Sequence, residues 1–185
     1  MKGNHTMYSI IRFGLLYGLA LVIGFYASHL AIGTSPDNFT LGEIVGYTVM
    51  FISSLAVIMG IKDFKQKRFP APLGFMGGLG VGSGISLLAA HVFALYNWFY
   101  LVFINPTFTA TYIQYSEQKI NSSGLEARVI EQQLAKLADY AELLDNNFTQ
   151  SMVMFASVFV IGLLFSVVGA WALRTPHSAK ITHNT

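Results

Sequence analysis

LGFMGGLGVGSGISLLAAHVFALYNWFYLVF, Leu73 to Phe103, runs for thirty-one residues without one Asp, Glu, Lys or Arg. Coiled as an α-helix it reaches about 46 Å, well beyond the roughly 30 Å hydrocarbon core of a bilayer. Three further stretches share this lack of charge: Phe13 to Ile32, Ile44 to Ile61 and Met152 to Leu173. Each is long enough to cross once. The chain therefore reads as all-α, a four-span transmembrane helical bundle forming a single membrane domain over 1–185. Its spans fall at about 10–32, 42–61, 73–104 and 151–173, with a short loop at 62–72, an insert at 105–150 and a tail at 174–185. The excess length of span three is absorbed by tilt, by an interfacial start or by projection past the surface. Asn105-Pro106 marks its break.

Composition agrees. Of 185 residues, 54% are hydrophobic and only 11% charged, too few to cover a water-soluble domain of this size. There is no cysteine, which excludes disulfides, thiolate metal sites and cysteine nucleophiles. Lys2 and Arg12 precede the first apolar run, but that run exceeds the 7–15 residues of a signal-peptide core. No clean small-x-small cleavage site follows it, so a retained helix is expected.

Charge placement sets the orientation. Lys2, Arg12, Lys62, Lys65, Lys67, Arg68, Arg174 and Lys180 fall on one side of a four-span chain, eight of its eleven basic residues. Lys119, Arg128 and Lys136 fall on the other. The positive-inside rule puts both termini in the cytoplasm. Tyr96, Trp98 and Tyr100 suit the outer interface and Trp171 the inner one.

The insert is expected to be an extramembrane amphipathic helical hairpin. Phe108, Tyr112 and Tyr115 repeat at four and three, and Asn121 to Gly124 offers a turn. Ile130, Leu134, Leu137, Ala141, Leu144 and Phe148 then alternate at four and three. Ser123-Gly124-Leu125-Glu126 matches a capping box, which predicts a helix start near Leu125. Between Leu125 and Phe148 lie seven charges. At roughly 2.5 to 3.5 kcal/mol each near mid-membrane they oppose insertion by about 17–25 kcal/mol, so this helix is not a fifth span.

Several motifs in this order are similar to a domain-of-unknown-function family of small bacterial membrane proteins, mostly Gram-negative. The resemblance runs from about Ile10 to Arg174. It rests on the RFGLLYGL opening, VIMGIKDFKQKR leaving span two, the glycine-rich start of span three, FINPTFTATYIQYSEQKINSSGLEA and the final ALR. FPAPLGFMGG departs from the polar entry to span three expected of that family, as does the start of the last span. The resemblance implies a multi-pass protein of the bacterial inner (plasma) membrane. It supplies architecture without an activity.

Within the membrane, Gly74, Gly78 and Gly82 recur every fourth residue, with Gly80 and Gly84 beside them; Gly14 and Gly18 repeat the spacing in span one. Such stripes let helix backbones approach closely, either within one chain or as a homo-oligomer interface. His29 and His91 stand at similar counts into the parallel spans one and three. If they face each other they share a proton or hold a metal, with Glu43 or Asn97 nearby; otherwise they are two interfacial histidines bonded to backbone or headgroups. The basic loop with Lys62, Lys65, Lys67 and Arg68 reads as a topology determinant resting on anionic headgroups.

No HExxH, GxSxG, GxGxxG or P-loop occurs, and no carboxylate pair lies in a span, so no enzyme, cofactor or catalytic residue is expected. Nucleic acid is not an expected partner. The favoured class is a non-enzymatic accessory, scaffolding or interaction protein whose hairpin meets an envelope partner. The alternative is a small oligomeric transporter or channel, weighed against by spans lacking charge.

Overall fold

The structure, a computed structural model, describes residues 2–33, 35–68 and 70–175. Four long helices carry the fold: α1 (Lys2–Ile32), α2 (Phe39–Arg68), α3 (Phe75–Phe99) and α6 (Asn147–Leu173). Between α3 and α6 come α4 (Phe108–Asn121) and α5 (Ala127–Leu144). One long helix falls on each charge-free stretch: α1, α2 and α6 extend beyond theirs, α3 covers most of its own, and all four are long and apolar enough to cross a bilayer. This is a multi-pass membrane protein. The expected tail beyond Thr175, with Lys180, lies outside the described residues, as does Phe69.

Local chemistry ends each helix. The amide of Gly33, at φ 73°, bonds the His29 carbonyl and closes α1 in a left-handed turn that only glycine adopts cheaply. Asn38 Nδ2 donates back to the Ile32 carbonyl at 2.7 Å, so the link to α2 is tight. Past Phe99 the third span widens into a π-helical stretch, Tyr100–Ile104, and the Asn105 amide reaches the Tyr100 carbonyl five residues back. Pro106 then ends it. The Asn146 side chain caps α6 by accepting from the Phe148 amide at 2.8 Å.

The bundle is a rhombus with α2 and α3 across its short diagonal. Pairings along α3 and α6 step regularly: Gly78 meets Ala170, Gly82 meets Ser166 and Ser86 meets Gly162. On α1 and α3, Ile10 meets Gly84, Leu88 meets Gly14 and Val92 meets Gly18. In each pair one partner is small, so the backbones close to near contact. The centre is filled: Tyr17, Leu21, Val57, Ile61, Ile85, Phe93 and Val158 are almost wholly buried. Its few hydroxyls are satisfied, Tyr17 by Ser54 at 2.7 Å and Ser166 by the Gly162 carbonyl four residues back. Outside, an aliphatic belt faces away from the core, with Ile23 at 66% and Leu30 at 67% exposure. Such a surface belongs against lipid.

Three expectations need correction. The segment 62–72 is mostly helix: α2 continues to Arg68, so Lys62, Lys65, Lys67 and Arg68 occupy its last two turns and only a short link remains. The capping box is not formed. Gly124, at φ 68°, turns the chain, and the Ser123 hydroxyl bonds back to the Ile120 carbonyl, so α5 starts at Ala127. Phe148 leaves the α5 stripe as well. It belongs to α6, because Asn146 starts a new helix before it.

Candidate functional site: a cavity beneath the α4–α5 pair

At the end of the bundle opposite the termini, α4 lies over the start of α2. Its aromatic stripe is what docks it: Phe108, Tyr112 and Tyr115 each meet the buried Phe39 ring edge-on at 5.9, 5.7 and 5.2 Å. Polar bonds stitch the same seam. Tyr112 donates to Glu43 Oε1 at 2.8 Å, Tyr115 pairs with Thr40 at 2.9 Å and Thr109 donates to Gln150 at 2.7 Å. The four-and-three spacing of α4 thus presents one face to Phe39.

Under this cover lies a cavity of about 300 Å³, at the small end of ligand sites, which span roughly 300–1,000 Å³. Phe25, Phe93, Met50 and Met154 form its apolar depth. Glu43, Tyr47 and Tyr140 also line it but are exposed, so they mark the mouth. His29, Asn97, Tyr100 and Gln150 supply polar groups between. His29 Nδ1 is hydrogen-bonded to the Tyr100 hydroxyl at 3.1 Å, and its ring stands edge-on to Tyr100. Glu43 is the one carboxylate on the lining. Burial pushes the Tyr112 phenol above its ordinary value, and the hydrogen bond to Glu43 and that group's charge push the same way. Tyr112 therefore stays a donor at neutral pH. Burial also raises Tyr140, helped by Tyr47 across the mouth.

The two histidines are not brought together. With Gly18 level with Val92 and Gly14 with Leu88, His91 is level with Tyr17, twelve residues below His29 and about 18 Å away along the axis. Counting from the charge-free starts misjudged the register, because α1 begins at Lys2 while α3 begins only at Phe75. His91 is exposed, bonds the Leu87 carbonyl on its own helix and packs on Phe155 of α6. His29 faces Tyr100 instead. Glu43 and Asn97 do share its cavity. Among the described residues no three His, Cys, Asp or Glu side chains gather as a metal site.

Of the glycines, Gly14, Gly18, Gly78 and Gly82 sit where a Cβ would come within 2.7–3.1 Å of a neighbouring helix. Gly74 does not: it precedes α3 in open space, and Gly80 is open as well. In the basic quartet, Lys67 pairs with Asp63 at 2.8 Å and lies over the Tyr8 ring, while Ser9 donates to the same carboxylate. Arg68 lies near the Phe64 ring, and Lys62 is exposed. Sequence reasoning missed Phe39, Tyr100 and Gln150 as cavity residues. The one available signal was a lone carboxylate, Glu43, just before an apolar span.

Most of α1, the other three long helices, the pair between the last two and the cavity under it fall within residues 12–175, which match the family described as "Protein of unknown function (DUF4199)". The chain belongs to this family. No curated protein and no solved structure matches it. The family brings no assigned chemistry to the cavity, whose use must be read from its own lining.

Proposed function

We propose that this chain is a non-enzymatic protein of the bacterial inner membrane, an accessory or interaction component working on the outer side. Both termini lie in the cytoplasm, and the α4–α5 pair forms a hairpin outside the bilayer. The observation that carries the reading is the seam of rings and hydrogen bonds fastening α4 across Phe39, Thr40 and Glu43. It makes the insert a fixed platform over the bundle, a surface for an envelope partner and a roof for the cavity. The charge bias supports the orientation: Lys62, Lys65, Lys67 and Arg68 cluster at the opposite end. The filled midsection, with Tyr17, Leu21, Phe93 and Val158 buried, supports a non-conducting role over the alternative of a small oligomeric channel or transporter. Gly14, Gly18, Gly78 and Gly82 are occupied by contacts within the chain, which favours packing of one subunit over a glycine-mediated oligomer.

Tags at Met1 and Thr185, probed in intact and permeabilised cells, test the orientation. Labelling only after permeabilisation is expected, and labelling of intact cells overturns it. Cross-linking from position 132 on α5, followed by identification of the captured protein, tests the partner role. In proteoliposomes no ion or solute flux is expected above that of empty vesicles; flux there returns the alternative.

A further inference from the structure

We propose that the cavity beneath α4 and α5 receives an organic ammonium ion, a protonated or quaternary amine on an apolar body, with its charge held at Glu43 among the rings of Tyr47, Tyr112 and Tyr140. This rests on the reading above, which sets the mouth at headgroup level on the outer side.

Glu43 carries the argument. Its one hydrogen-bond partner among the described residues is the Tyr112 hydroxyl, which reaches Oε1 and leaves Oε2 free. The one ion pair among the described residues, Lys67 with Asp63, lies at the other end of the bundle. Lys119, the nearby cation of α4, bonds Thr40 at 3.5 Å and lies over the Tyr115 ring, one turn of α2 before Glu43. A carboxylate at a membrane cavity with neither a cation nor a full set of donors attracts positive charge and repels anions. A metal ion is a poor occupant, since it calls for more oxygen ligands than one carboxylate.

The rings select the kind of cation. Tyr47, Tyr112 and Tyr140 line the mouth with Glu43, and Tyr96, Tyr100 and Phe108 continue inward. Aromatic faces hold weakly hydrated organic cations, and cages of them recognise alkylammonium groups. Behind the rings, Phe25, Phe93, Met50 and Met154 accept an apolar body. Carboxylate at the rim, aromatic walls and an apolar floor match an amphiphilic cation entering tail first. Two sources share this chemistry, a soluble aralkyl amine and the ammonium headgroup of a lipid.

The test uses the full chain in phosphatidylglycerol nanodiscs, titrated calorimetrically with 2-phenylethylamine, its neutral counterpart 2-phenylethanol, and phenylacetate, with empty nanodiscs as reference. Saturable binding of the amine, at least about tenfold tighter than the alcohol, is expected from a single close charge pair, with no binding of phenylacetate. Glu43→Gln removes the preference for the amine and leaves the alcohol unchanged; Tyr140→Leu weakens the amine several-fold. Equal binding of amine and alcohol by the unaltered protein overturns the proposal, as does absence of saturation or a preference that survives Glu43→Gln. Repeating the titration with phosphatidylethanolamine in the disc separates the sources: competition assigns the site to a lipid headgroup, and unchanged affinity assigns it to a soluble amine. The tag experiment is independent of these titrations, so failure of the orientation and failure of the ammonium site are told apart.

Discussion

Toward the termini α3 and α6 meet through residues almost without side chains, and toward the α4–α5 pair the helices meet through aromatic rings. Gly78, Gly82 and Gly162 let α3 and α6 meet backbone to backbone. Phe39, Phe108, Tyr112 and Tyr100 hold the other end at ring distance, around a cavity. Close backbone packing leaves no room and no alternative partner, so that half is scaffold. Rings and hydroxyls leave gaps lined by polar atoms, so that half can receive a ligand.

The largest expected effect strikes the tight half. Gly82→Leu drives a side chain into Ser166 and Ile61, the first at 2.7 Å even for a Cβ. It should cost about 3 kcal/mol, lowering the melting temperature in detergent or abolishing the folded form. Gly80→Leu, in open space, should leave it unchanged; equal damage from both would mean the stripes do not organise the bundle.

Phe39→Ala comes next. Loss of three edge-on ring contacts should release α4 at a cost of about 2 kcal/mol. Hydrogen exchange is expected to rise across 108–121 while the centres of α3 and α6 stay protected. If protection falls everywhere, the two halves are one cooperative unit and the comparison fails.

Tyr112→Phe removes the bond to Glu43, with an expected loss of about 1 kcal/mol at this half-buried site. The pH dependence has a definite sign. Tyr112 titrates above its ordinary value of 10.0 when folded, so the seam is fully stabilised below that pH. Stability falls as pH rises from there through the folded value. Near-UV circular dichroism should show loosening on that alkaline side, and Tyr112→Phe should remove this part of the dependence.

The smallest effect is at the basic end. Asp63→Asn weakens the pairing with Lys67 and Ser9, and a shift below about 1 kcal/mol is expected in thermal unfolding. A larger loss would make this charged clasp, and not the close seating of Gly24 on Val49 and of Gly60 on Phe13, the tie between α1 and α2.

Much of the architecture was legible because the bilayer imposes one demand at a time. Runs without charge fixed the four helices, and the ring spacing of Phe108, Tyr112 and Tyr115 marked the docking face of α4. Helix boundaries were less legible. Lys62 to Arg68 look like a loop by charge, yet nothing in them breaks a helix, and α2 continues through. Ser123 to Glu126 fit a capping pattern that Gly124 spent on a turn. The paired histidines failed for a different reason. Depth along parallel helices depends on how they slide past each other, and that slide is set by Gly14 and Gly18 seating Leu88 and Val92.

The sequence by itself determined that four oily helices cross a bilayer and that a charged insert separates the last two, because hydrocarbon sorts charge without reference to neighbours. Only the tertiary structure decided that Glu43, His29, Asn97 and Gln150, one from each of the four long helices, line one cavity, and that His91 is not there. Those facts depend on rotation and register between helices. Both are set by which small residue seats which large one.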